Sequence, residues 1–517
     1  MESALRPAGQ PPVPLSALVS GLGLTGDTGS RALVTGITLD SRAVERGWLY
    51  VALPGTRAHG AQFAGSAVAA GASAILTDDE GRALLGHEGV PVVAAADARA
   101  AMALVAARLF GEPARALTTL GVTGTNGKTT TVALLQAGLA AAGRRAGTIG
   151  TIGFRLGDRE IPSPRGTVTT PESPDLQALL AVFVERGADA VALEVSSHAL
   201  ALARVDGIAF DVVGFLNLGR DHLDFHRDLD DYFAAKARLF EPGRAAVSVL
   251  WVDDPRGAEL AARVHAEGAS RVVTVGTGSD ADYRLEGYRD VAPLGGAATV
   301  VRGGEAFALT LALPGRYNMI DAAVAFAMLE AVGVAADDAL RGLATAQVPG
   351  RMQRVDLGPG APLVVVDFAH TPQAVSAAVE SLAAAGPVVT VLGCGGDRDQ
   401  AKRPEMGAAA AAASALTIVT DDNPRSEDPA AIRAQTIAGA RAVPGATVRE
   451  VAGRRAAIGE ALRAAPVGGV VAILGKGHER GQILADRIEP FDDVEETVAA
   501  WRRLREEGDH GGTDHDG

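Results

Sequence analysis

The sequence predicts an α/β protein of several domains, built on mostly parallel sheets. Short apolar runs of strand length alternate with helical patterns through most of the 517 residues. Polar and acidic residues directly follow several of these runs, and open α/β sheets place their ligands at such strand ends. A chain of this length exceeds one ordinary domain, so we expect three.

Composition excludes several classes of protein. The formal net charge of −14 argues against binding nucleic acid or anionic membranes through bulk charge, although a local basic site for an anion stays possible. Cys394 is the only cysteine, which rules out an intrachain disulfide and suits a reducing cytoplasm. The N-terminus does not have the pattern of a signal peptide, and no apolar run is long enough to span a bilayer. We therefore expect a cytoplasmic protein. We further expect a monomer that acts on small molecules.

The first block, 15–113, follows a proline-rich segment, 1–14, that we expect to be a disordered arm. Strands and helices alternate in this block until Gly111-Glu112-Pro113 breaks the pattern. The predicted strands are 34–39, 49–53 and 73–77, and the predicted helices are 62–70 and 98–110.

The middle block, 114–347, contains the run Leu-Gly-Val-Thr-Gly-Thr-Asn-Gly-Lys-Thr-Thr-Thr at 120–131. A predicted strand, 116–122, leads into it and a predicted helix, 128–142, follows, which is the phosphate-binding arrangement of nucleotide triphosphatases. Lys128 is expected to reach the β- and γ-phosphates, and Thr129 to offer its hydroxyl to Mg²⁺. Val122 stands where the strict motif has its first glycine, so the alternative is a glycine-rich turn with a surface lysine.

Polar clusters end further strands of the middle block. Glu194 follows a buried run and is placed to hold Mg²⁺ with Thr129, unless it is a strand-end carboxylate facing solvent. Asn217 and His222 belong to a second cluster, and Lys236, taken alone, is interpreted as a solvated helix lysine. The predicted strands are 189–195, 211–216 and 244–252, 280–313 is strand-rich, and the predicted helices are 229–240 and 317–332.

The last block, 348–505, again has a doubly wound pattern, with a tail, 506–517, that we expect to be disordered. Each of three charged loops could be a surface turn, but together they predict the walls of a site for a small zwitterion. The predicted strands are 364–367, 388–392, 416–420 and 470–474, and the charged loops are 397–403, 421–425 and 475–479.

Seven spaced motifs together resemble the Mur ligases of peptidoglycan synthesis. They occur in the family's order, and the resemblance extends from Asp40-Ser-Arg42 to Glu479, nearly the whole chain. The motifs begin at Gly124, Glu194, Asn217, Asp367, Gly395, Asp422 and Gly475. The resemblance implies a small α/β domain for a uridine nucleotide, a central P-loop ATPase-like domain with a mostly parallel sheet, and a C-terminal Rossmann-like α/β domain for an amino acid.

The activity implied by the resemblance is ATP-dependent addition of meso-2,6-diaminopimelate to UDP-N-acetylmuramoyl-L-alanyl-D-glutamate through an acyl phosphate. A lysine-adding ligase and, more distantly, a folylpolyglutamate synthetase are the alternatives within the fold, and a nucleotide-dependent switch or scaffold is the alternative outside catalysis. Arg425 favours diaminopimelate, because a guanidinium can bind the second carboxylate that lysine does not have. The Asp40-Ser-Arg42 start disfavours the folate enzyme.

The resemblance also implies the site residues, with ATP and Mg²⁺ as cofactors. The catalytic set is Lys128, Lys236, His222 and Glu194, and the metal set is Thr129, Glu194, His222 and Lys236, the lysine as a carbamate. The ATP set is Gly124, Thr125, Asn126, Gly127, Lys128, Thr129, Thr130, Asn217, Asn318, Arg351 and Asp367. The UDP-substrate set is Ser41, Thr56, Arg57, Ala58, Thr169, Thr170, Ser196 and Arg204. The diaminopimelate set is Arg398, Asp422, Asn423, Pro424, Arg425, Gly475 and Glu479. Val168 and Leu202 depart from the asparagine and glutamine that related enzymes can carry, which puts those two contacts in doubt.

Overall fold

The computed structural model describes residues 6–55, 57–157, 159–162, 169–219, 221–222, 225–292 and 294–510. These residues form two compact units. The first contains the described residues up to Gly287 together with Ala298–Leu309 and Ile320–Thr345. The second contains Tyr288–Ala297, Thr310–Met319 and the described residues from Ala346 onward. The predicted domain boundaries near 113 and 347 stay predictions.

The amino-terminal part of the first unit is a five-stranded sheet, in the order β2-β7-β6-β5-β4, packed on helices. A buried apolar core fills the contact between this sheet, α1 and α4. The strands are β1 (Val13–Pro14), β2 (Thr25–Gly26), β3 (Leu33–Val34), β4 (Gly36–Thr38), β5 (Trp48–Ala52), β6 (Ala74–Thr77) and β7 (Val92–Ala94). The helices are α1 (Leu15–Val19), α2 (Ala64–Ala69), α3 (Asp79–Leu84) and α4 (Ala98–Leu109), with 3-10 turns at Ser41–Ala43, Gly60–Phe63 and Pro113–Ala116.

The disordered arm predicted for 1–14 is wrong at its end. β1 pairs antiparallel with β3, Val13 opposite Val34 and Pro14 opposite Leu33. Proline is tolerated here because β1 pairs with only one strand. Not every residue of β1 therefore has to donate a backbone N–H to a neighbouring strand. Residues 1–5 lie outside the described residues.

The next sheet has the strand order β11-β10-β9-β12-β8-β13-β14-β15-β16-β17-β18. The strands are β8 (Thr118–Thr123), β9 (Ala146–Gly150), β10 (Gly153–Leu156), β11 (Arg159–Ile161), β12 (Ala190–Glu194), β13 (Phe210–Phe215), β14 (Ala245–Trp251), β15 (Arg271–Gly276), β16 (Tyr283–Asp290), β17 (Gly296–Arg302) and β18 (Glu305–Leu311). The helices are α5 (Lys128–Ala141), α6 (Ser173–Glu185), α7 (Ser197–Ala201), α8 (Leu229–Ala237), α9 (Pro255–Glu267), α10 (Arg316–Ala331) and α11 (Ala336–Thr345), with a 3-10 turn at Arg238–Phe240.

Strand β8 lies at the centre of the parallel part of this sheet, between β12 and β13. Glu194 pairs in register with Val122, and Phe215 pairs with Thr123. The carboxyl ends of the three strands therefore meet at one edge, as the sequence predicted from their polar endings. Neighbouring strands buried on both faces explain the continuous apolar runs.

The second unit has a six-stranded sheet in the order β19-β20-β24-β21-β22-β23, parallel except for the edge strand β19. The strands are β19 (Gln353–Val355), β20 (Leu363–Asp367), β21 (Val388–Cys394), β22 (Leu416–Asp421), β23 (Val448–Glu450) and β24 (Val470–Leu474), and a separate hairpin pairs β25 (Gly481–Ile483) with β26 (Ile488–Pro490). The helices are α12 (Pro372–Ala383), α13 (Lys402–Ala413), α14 (Pro429–Arg441), α15 (Arg454–Ala464) and α16 (Asp493–His510).

The tail predicted to be disordered from Glu506 begins as a helix. α16 continues through His510, five residues beyond the predicted boundary. Arginine and glutamate in this stretch are good helix formers, so the helix has no local reason to end at Arg505. Residues 511–517 lie outside the described residues.

None of the helices in the described part of the chain combines the length and the apolar character needed to cross a membrane.

Candidate active site

The phosphate loop lies between β8 and α5 in the first unit, where the sequence predicted it. Gly127 has a φ of +88°, a left-handed conformation that favours glycine, and a Cβ there would meet the Asp321 carboxylate at 2.3 Å. The Lys128 ammonium donates hydrogen bonds to the carbonyls of Gly124 and Thr125, at 2.8 and 2.9 Å. Thr129 and Thr130 are buried in the first turn of α5. The lysine is thus held over its own loop rather than exposed as a surface side chain.

Asn217, at the end of β13, joins this loop by two hydrogen bonds. Its amide oxygen accepts from the Asn126 N–H at 2.9 Å, and its amide nitrogen donates to the Asn126 carbonyl at 3.2 Å. The Thr125 N–H donates to the Asn217 carbonyl at 3.0 Å. These contacts fix the shape of the loop, and they bring together residues that the sequence separates by about ninety positions.

Lys236 is buried, so its interpretation as a solvated helix lysine is wrong. Its side chain is 1% exposed, and its ammonium donates to the Gly124 carbonyl at 2.9 Å and lies 4.4 Å from the Tyr232 ring centre. Burial, with the nearby charge of Lys128, lowers the pKa of Lys236 well below its ordinary value. Burial of Tyr232 raises the pKa of that phenol to about 12, so it stays neutral. An amine on α8 is thereby placed against the phosphate loop in a form that readily loses its proton.

Glu194 is also buried, which contradicts the alternative of a carboxylate facing solvent. The residue is 1% exposed, and its two oxygens accept from the Thr151 N–H at 2.9 Å and the Thr151 hydroxyl at 3.0 Å. A buried carboxylate needs such donors, because an uncompensated charge away from water is costly. The Thr170 hydroxyl donates to the Glu194 carbonyl at 2.8 Å and so holds the strand end as well.

The predicted metal set contains both oxygen donors and an amine. Among the described residues, no group of three or more His, Cys, Asp or Glu side chains is arranged to hold a metal ion. The oxygen donors Thr129 and Glu194 fit Mg²⁺, which prefers hydroxyl, carboxylate and phosphate oxygens. The amine of Lys236 does not fit, because it is a hydrogen-bond donor; only its carbamate would present oxygens to a cation.

Histidines cluster around α7 and the start of α8, where His222 and His226 lie near the Tyr232 ring. The His198 ring centre lies 4.9 Å from that of His222 and 4.1 Å from that of Phe225. His226 is buried, with Nε2 2.9 Å from the Ser197 hydroxyl and Nδ1 3.4 Å from an Asp231 carboxylate oxygen. His222 has a φ of +53°, an uncommon conformation outside glycine that marks a constrained loop.

Asp321 is a buried acid that the sequence reasoning missed. It lies on α10, and the residue is 4% exposed. Burial raises the pKa of Asp321 to about 8, against the opposing effect of the Lys128 charge. A signal was present in the sequence, because this acid interrupts the otherwise apolar stretch 319–329, in which Ala322, Ala323 and Val324 are fully buried.

The residues predicted to hold the UDP-substrate lie in two places in the first unit. Ser41 begins a 3-10 turn, where the preceding Asp40 carboxylate accepts from the Arg42 N–H at 3.0 Å. In the next loop Arg57 is exposed, and the Ala58 carbonyl accepts from the Gly55 N–H at 3.2 Å. Thr56 lies outside the described residues.

The predicted dipeptide contacts form a hydrogen-bonded group beside Glu194. The Thr170 hydroxyl lies 3.3 Å from the Ser196 hydroxyl, and the Thr169 hydroxyl lies 3.1 Å from that of Thr151. The Arg204 guanidinium donates to the Thr170 carbonyl at 2.9 Å and pairs with Glu172 at 2.7 Å. Of the two departures from the family, Leu202 ends α7 and Val168 lies outside the described residues.

Three residues of the predicted ATP set belong to the second unit. The Asp367 carboxylate accepts from the backbone N–H groups of Met352 and Ala369, at 2.6 and 2.7 Å, and burial raises its pKa. The Arg351 guanidinium lies 4.5 Å from the Phe368 ring centre. Asn318 is buried and donates to the Pro314 carbonyl at 2.6 Å.

The charged loops after β21, β22 and β24 are brought side by side, as the sequence predicted. Cys394 pairs with Asp421, and Leu392 with Leu474, so the three loops leave one edge of the sheet. The Asn423 amide nitrogen donates to a Glu479 carboxylate oxygen at 2.8 Å. Gly475 has a φ of +112°, and a Cβ there would meet Asp422 at 2.8 Å, so glycine allows the two loops to approach.

Arg425 and Arg398 differ in how firmly they are held. Arg425 is half-buried with a φ of +52°, and its guanidinium donates to the Gly396 carbonyl at 2.7 Å. One of its five N–H donors is therefore engaged with the neighbouring loop, which leaves others for a ligand. Arg398 is exposed.

Comparisons with known proteins agree over most of the chain. Residues 33–110 match the catalytic domain of the Mur ligase family, residues 122–329 the Mur ligase middle domain, and residues 350–477 the glutamate ligase domain of Mur ligases. UDP-N-acetylmuramoyl-L-alanyl-D-glutamate--2,6-diaminopimelate ligase of Streptomyces coelicolor is 45% identical over 497 residues, covering 94% of this chain and 96% of that protein.

Solved structures give the same result for the fold. A structure of UDP-N-acetylmuramoyl-L-alanyl-D-glutamate--2,6-diaminopimelate ligase is similar with a TM-score of 0.69 and 31% identity, covering 92% of this chain and 96% of that one. The Mycobacterium tuberculosis folylpolyglutamate synthase complexed with ADP and AMPPCP has a TM-score of 0.56 and 20% identity, covering 77% of this chain and 93% of that one. At 20% identity, the similarity to folylpolyglutamate synthase shows a shared fold alone.

Proposed function

The chain belongs to the Mur ligase family, and from this premise we propose that it adds meso-2,6-diaminopimelate to UDP-N-acetylmuramoyl-L-alanyl-D-glutamate at the expense of ATP. The product is the tripeptide precursor of peptidoglycan. The observation that carries the proposal is the phosphate loop with buried Lys236 donating to its Gly124 carbonyl at 2.9 Å. The names of the relatives support the two substrates.

The first step makes an acyl phosphate. An oxygen of the D-glutamyl γ-carboxylate attacks the γ-phosphorus of ATP, the bond to the β-phosphate oxygen breaks, and ADP leaves with that electron pair. The chain contributes a loop of backbone N–H groups at the start of α5, together with the ammonium of Lys128, to stabilise the transferring phosphoryl group. Lys128 now donates to carbonyls of its own loop and has only to exchange these for phosphate oxygens.

The second step forms the amide. The neutral amine of diaminopimelate attacks the acyl carbon, inorganic phosphate leaves, and the amine releases its proton. We assign the amino acid to the loops that carry Asn423, Arg425, Gly475 and Glu479, with Arg398 as a further carboxylate partner. Arg425 would take the distal carboxylate through two parallel hydrogen bonds, and Glu479 would face the distal ammonium.

Mg²⁺, when bound, neutralises charge on the phosphate oxygens. Thr129 and Glu194 would hold one ion, and His222 with the carbamate of Lys236 a second. The lowered pKa of Lys236 supports the modification, because only an uncharged amine adds CO₂. In that reaction the nitrogen of the uncharged amine bonds to the carbon of CO₂, one proton is released, and a neutral group becomes an anionic carbamate.

We assign the uridine end to Ser41, Thr56, Arg57 and Ala58, and the muramoyl-dipeptide to Thr169, Thr170, Ser196 and Arg204. The buried hydrogen bonds of Thr170 to Glu194 and Ser196 support a prearranged dipeptide site. We assign ATP further contacts with Asn217, Asn318, Arg351 and Asp367. The partners are small molecules, and we propose a cytoplasmic monomer.

ADP release in a coupled assay tests the proposal. Turnover is expected only when the UDP-dipeptide and meso-diaminopimelate are both present with ATP and Mg²⁺, and omission of either substrate is the control. A rate with L-lysine equal to or above that with diaminopimelate would replace the proposal by the lysine-adding alternative. ATP hydrolysis that ignores both substrates would contradict ligation itself.

A further inference from the structure

Lys476 is a buried cation in the second unit. Neither the ATP contacts nor the phosphate loop proposed above assigns it a role. It follows β24, between Gly475 and Gly477, and its side chain is fully buried. Its ammonium donates to the Asn423 amide oxygen at 3.0 Å, a Glu479 carboxylate oxygen at 3.2 Å and the Gly481 carbonyl at 2.6 Å. An Asp422 carboxylate oxygen lies 3.6 Å away.

Every N–H of this ammonium already has an acceptor inside the protein. A lysine offers three donors, and the three hydrogen bonds use all of them. The desolvation of a buried ammonium is costly, and the nearby acids of Asp422 and Glu479 offset it. Lys476 therefore has no donor left for a substrate, and its effect on any ligand must pass through the groups that it holds.

Those groups are the side chains assigned to the incoming amino acid. The Asn423 amide oxygen accepts from both Lys476 and the Ile483 N–H, which turns its amide nitrogen toward Glu479 at 2.8 Å. The Ile483 carbonyl in turn accepts from the Arg425 N–H at 3.0 Å. One ammonium thus joins the loop after β22, the loop after β24 and strand β25.

The rarity of lysine in this chain supports a specific role for the lysine at position 476. Lysine and arginine together number 48, but only four of these are lysines: Lys128, Lys236, Lys402 and Lys476. The three acceptors converge on one nitrogen atom, a geometry that suits a compact ammonium and not a planar guanidinium.

We infer that Lys476 is the positioning residue of the amino-acid site, which sets Asn423, Glu479 and Arg425 in the geometry that selects a substrate with a distal carboxylate and ammonium. This inference rests on the proposed function. It also refines the assignment of Glu479, because one of its carboxylate oxygens is committed to Asn423 and Lys476. The other oxygen is the one that would meet the substrate ammonium.

The test is Lys476→Met, which keeps an unbranched side chain one atom shorter than lysine and removes the donors. We expect kcat/KM for meso-diaminopimelate to fall about 100-fold or more, as for a lost preorganising contact. The KM values for ATP and the UDP-dipeptide should change by less than about threefold, and the preference for diaminopimelate over L-lysine should narrow. If Lys476 only stabilised the fold, its loss would not lower kcat/KM for diaminopimelate while sparing the KM values for ATP and the UDP-dipeptide.

Leu462→Ala is the matched control, because Leu462 is buried in the core of the same unit, on α15. It should lower the melting temperature while leaving the ratio of the two amino-acid substrates unchanged. A Lys476→Met enzyme whose three KM values rise together, or whose amino-acid ratio matches that of the control, overturns the inference.

Lys476→Arg covers the case in which the methionine variant does not fold. It keeps the charge but cannot place three donors on the three convergent acceptors, so the same selective loss is expected; a wild-type amino-acid ratio would contradict the inference. The proposed function fails separately, if wild-type enzyme prefers L-lysine. In that case Lys476→Met should still lower kcat/KM for L-lysine while leaving the KM values for ATP and the UDP-dipeptide nearly unchanged. An unchanged kcat/KM for L-lysine would overturn the inference as well.

Discussion

The phosphate-loop site and the amino-acid loops occupy the same place in two different sheets, yet their charges are compensated differently. In the first unit, Lys128 and Lys236 donate to backbone carbonyls of the phosphate loop. In the second unit, Lys476 meets the side chains of Asn423 and Glu479 and lies near Asp422. These hydrogen bonds of the first site go to neutral carbonyl oxygens, whereas the ammonium in the second site also donates to the Glu479 carboxylate.

This difference indicates what each site is prepared to receive. Cations that donate to neutral carbonyl oxygens gain free energy when a polyphosphate replaces those acceptors, because hydrogen bonds between charged groups are stronger than those to neutral acceptors. An internally paired network gains little from an added charge but fixes the direction of its side chains. Substitutions in the first site should therefore abolish chemistry and leave the fold intact, while those in the second should change selectivity.

Lys128→Ala should have the largest effect. We expect kcat to fall by about 10³-fold or more, because a preorganised cation at the transferring phosphoryl group is lost. The melting temperature should stay close to wild type, since the hydrogen bonds from the Lys128 ammonium to Gly124 and Thr125 lie within its own loop. Steady-state ADP release and a thermal melt measure both. Near-normal turnover in a folded variant would refute the assignment of the phosphate loop.

Lys236→Ala should be nearly as damaging, with kcat lower by about 10²–10³-fold. Added formate or acetate should restore part of the activity, since a small carboxylate can replace the carbamate. NMR of enzyme loaded with ¹³C-bicarbonate should show one carbamate signal, which Lys236→Ala loses and Lys402→Arg keeps. An active, Mg²⁺-loaded wild-type enzyme without that signal would show that the lysine works as a bare amine.

Arg425→Ala tests the second site. Wild type should prefer meso-diaminopimelate to L-lysine by about 10⁴-fold, because lysine leaves the half-buried Arg425 guanidinium without its carboxylate partner. The variant should lose most of this preference, chiefly through kcat/KM for diaminopimelate. Arg398→Ala, at the exposed arginine of the adjacent loop, is the comparison and should have a smaller effect. If Arg425→Ala keeps the wild-type ratio of kcat/KM for the two amino acids, Arg425 does not select the substrate and serves only to hold its loop through the hydrogen bond to the Gly396 carbonyl.

Asp321→Asn should give the smallest change, one of stability. The folded-state pKa of Asp321, about 8, exceeds that of an exposed aspartate, about 3.9. Between these values the folded chain binds more protons than the unfolded chain, so the Asp321 contribution to stability falls as pH rises. The variant should be more stable than wild type by about 2–4 kcal/mol at pH 9, with little difference near pH 4.

Denaturant unfolding at the two pH values measures this difference, and exposed Asp337 on α11 supplies the control Asp337→Asn. A stability gain that is equal at both pH values would mean that Asp321 is not a buried titrating group. A gain confined to high pH would support the view that the phosphate-loop site contains incompletely compensated charge.

The sequence by itself determined the strands, the loops that end them and the order of the motifs. Apolar runs such as 190–193 and 470–474 are typical of parallel strands covered on both faces, and in each sheet the polar residues that follow such strands lie at the carboxyl edge. Glycine at 127 and at 475 leaves room for the Asp321 and Asp422 carboxylates, which approach these two positions in the structure. These features depend on the sequence of each segment and on the direction of its strand, so they can be predicted without knowledge of distant contacts.

Only the tertiary structure decided the state of the charged side chains. Lys236 appears as an ordinary helix lysine in the sequence, but α8 packs it against a loop more than a hundred residues earlier, and burial lowers its pKa. Asp321 and Lys476 became notable in the same way, through contacts with Gly127 and with Asn423. The free energy of a charge depends on the water removed and the partners gained, and both are set by residues distant in the chain.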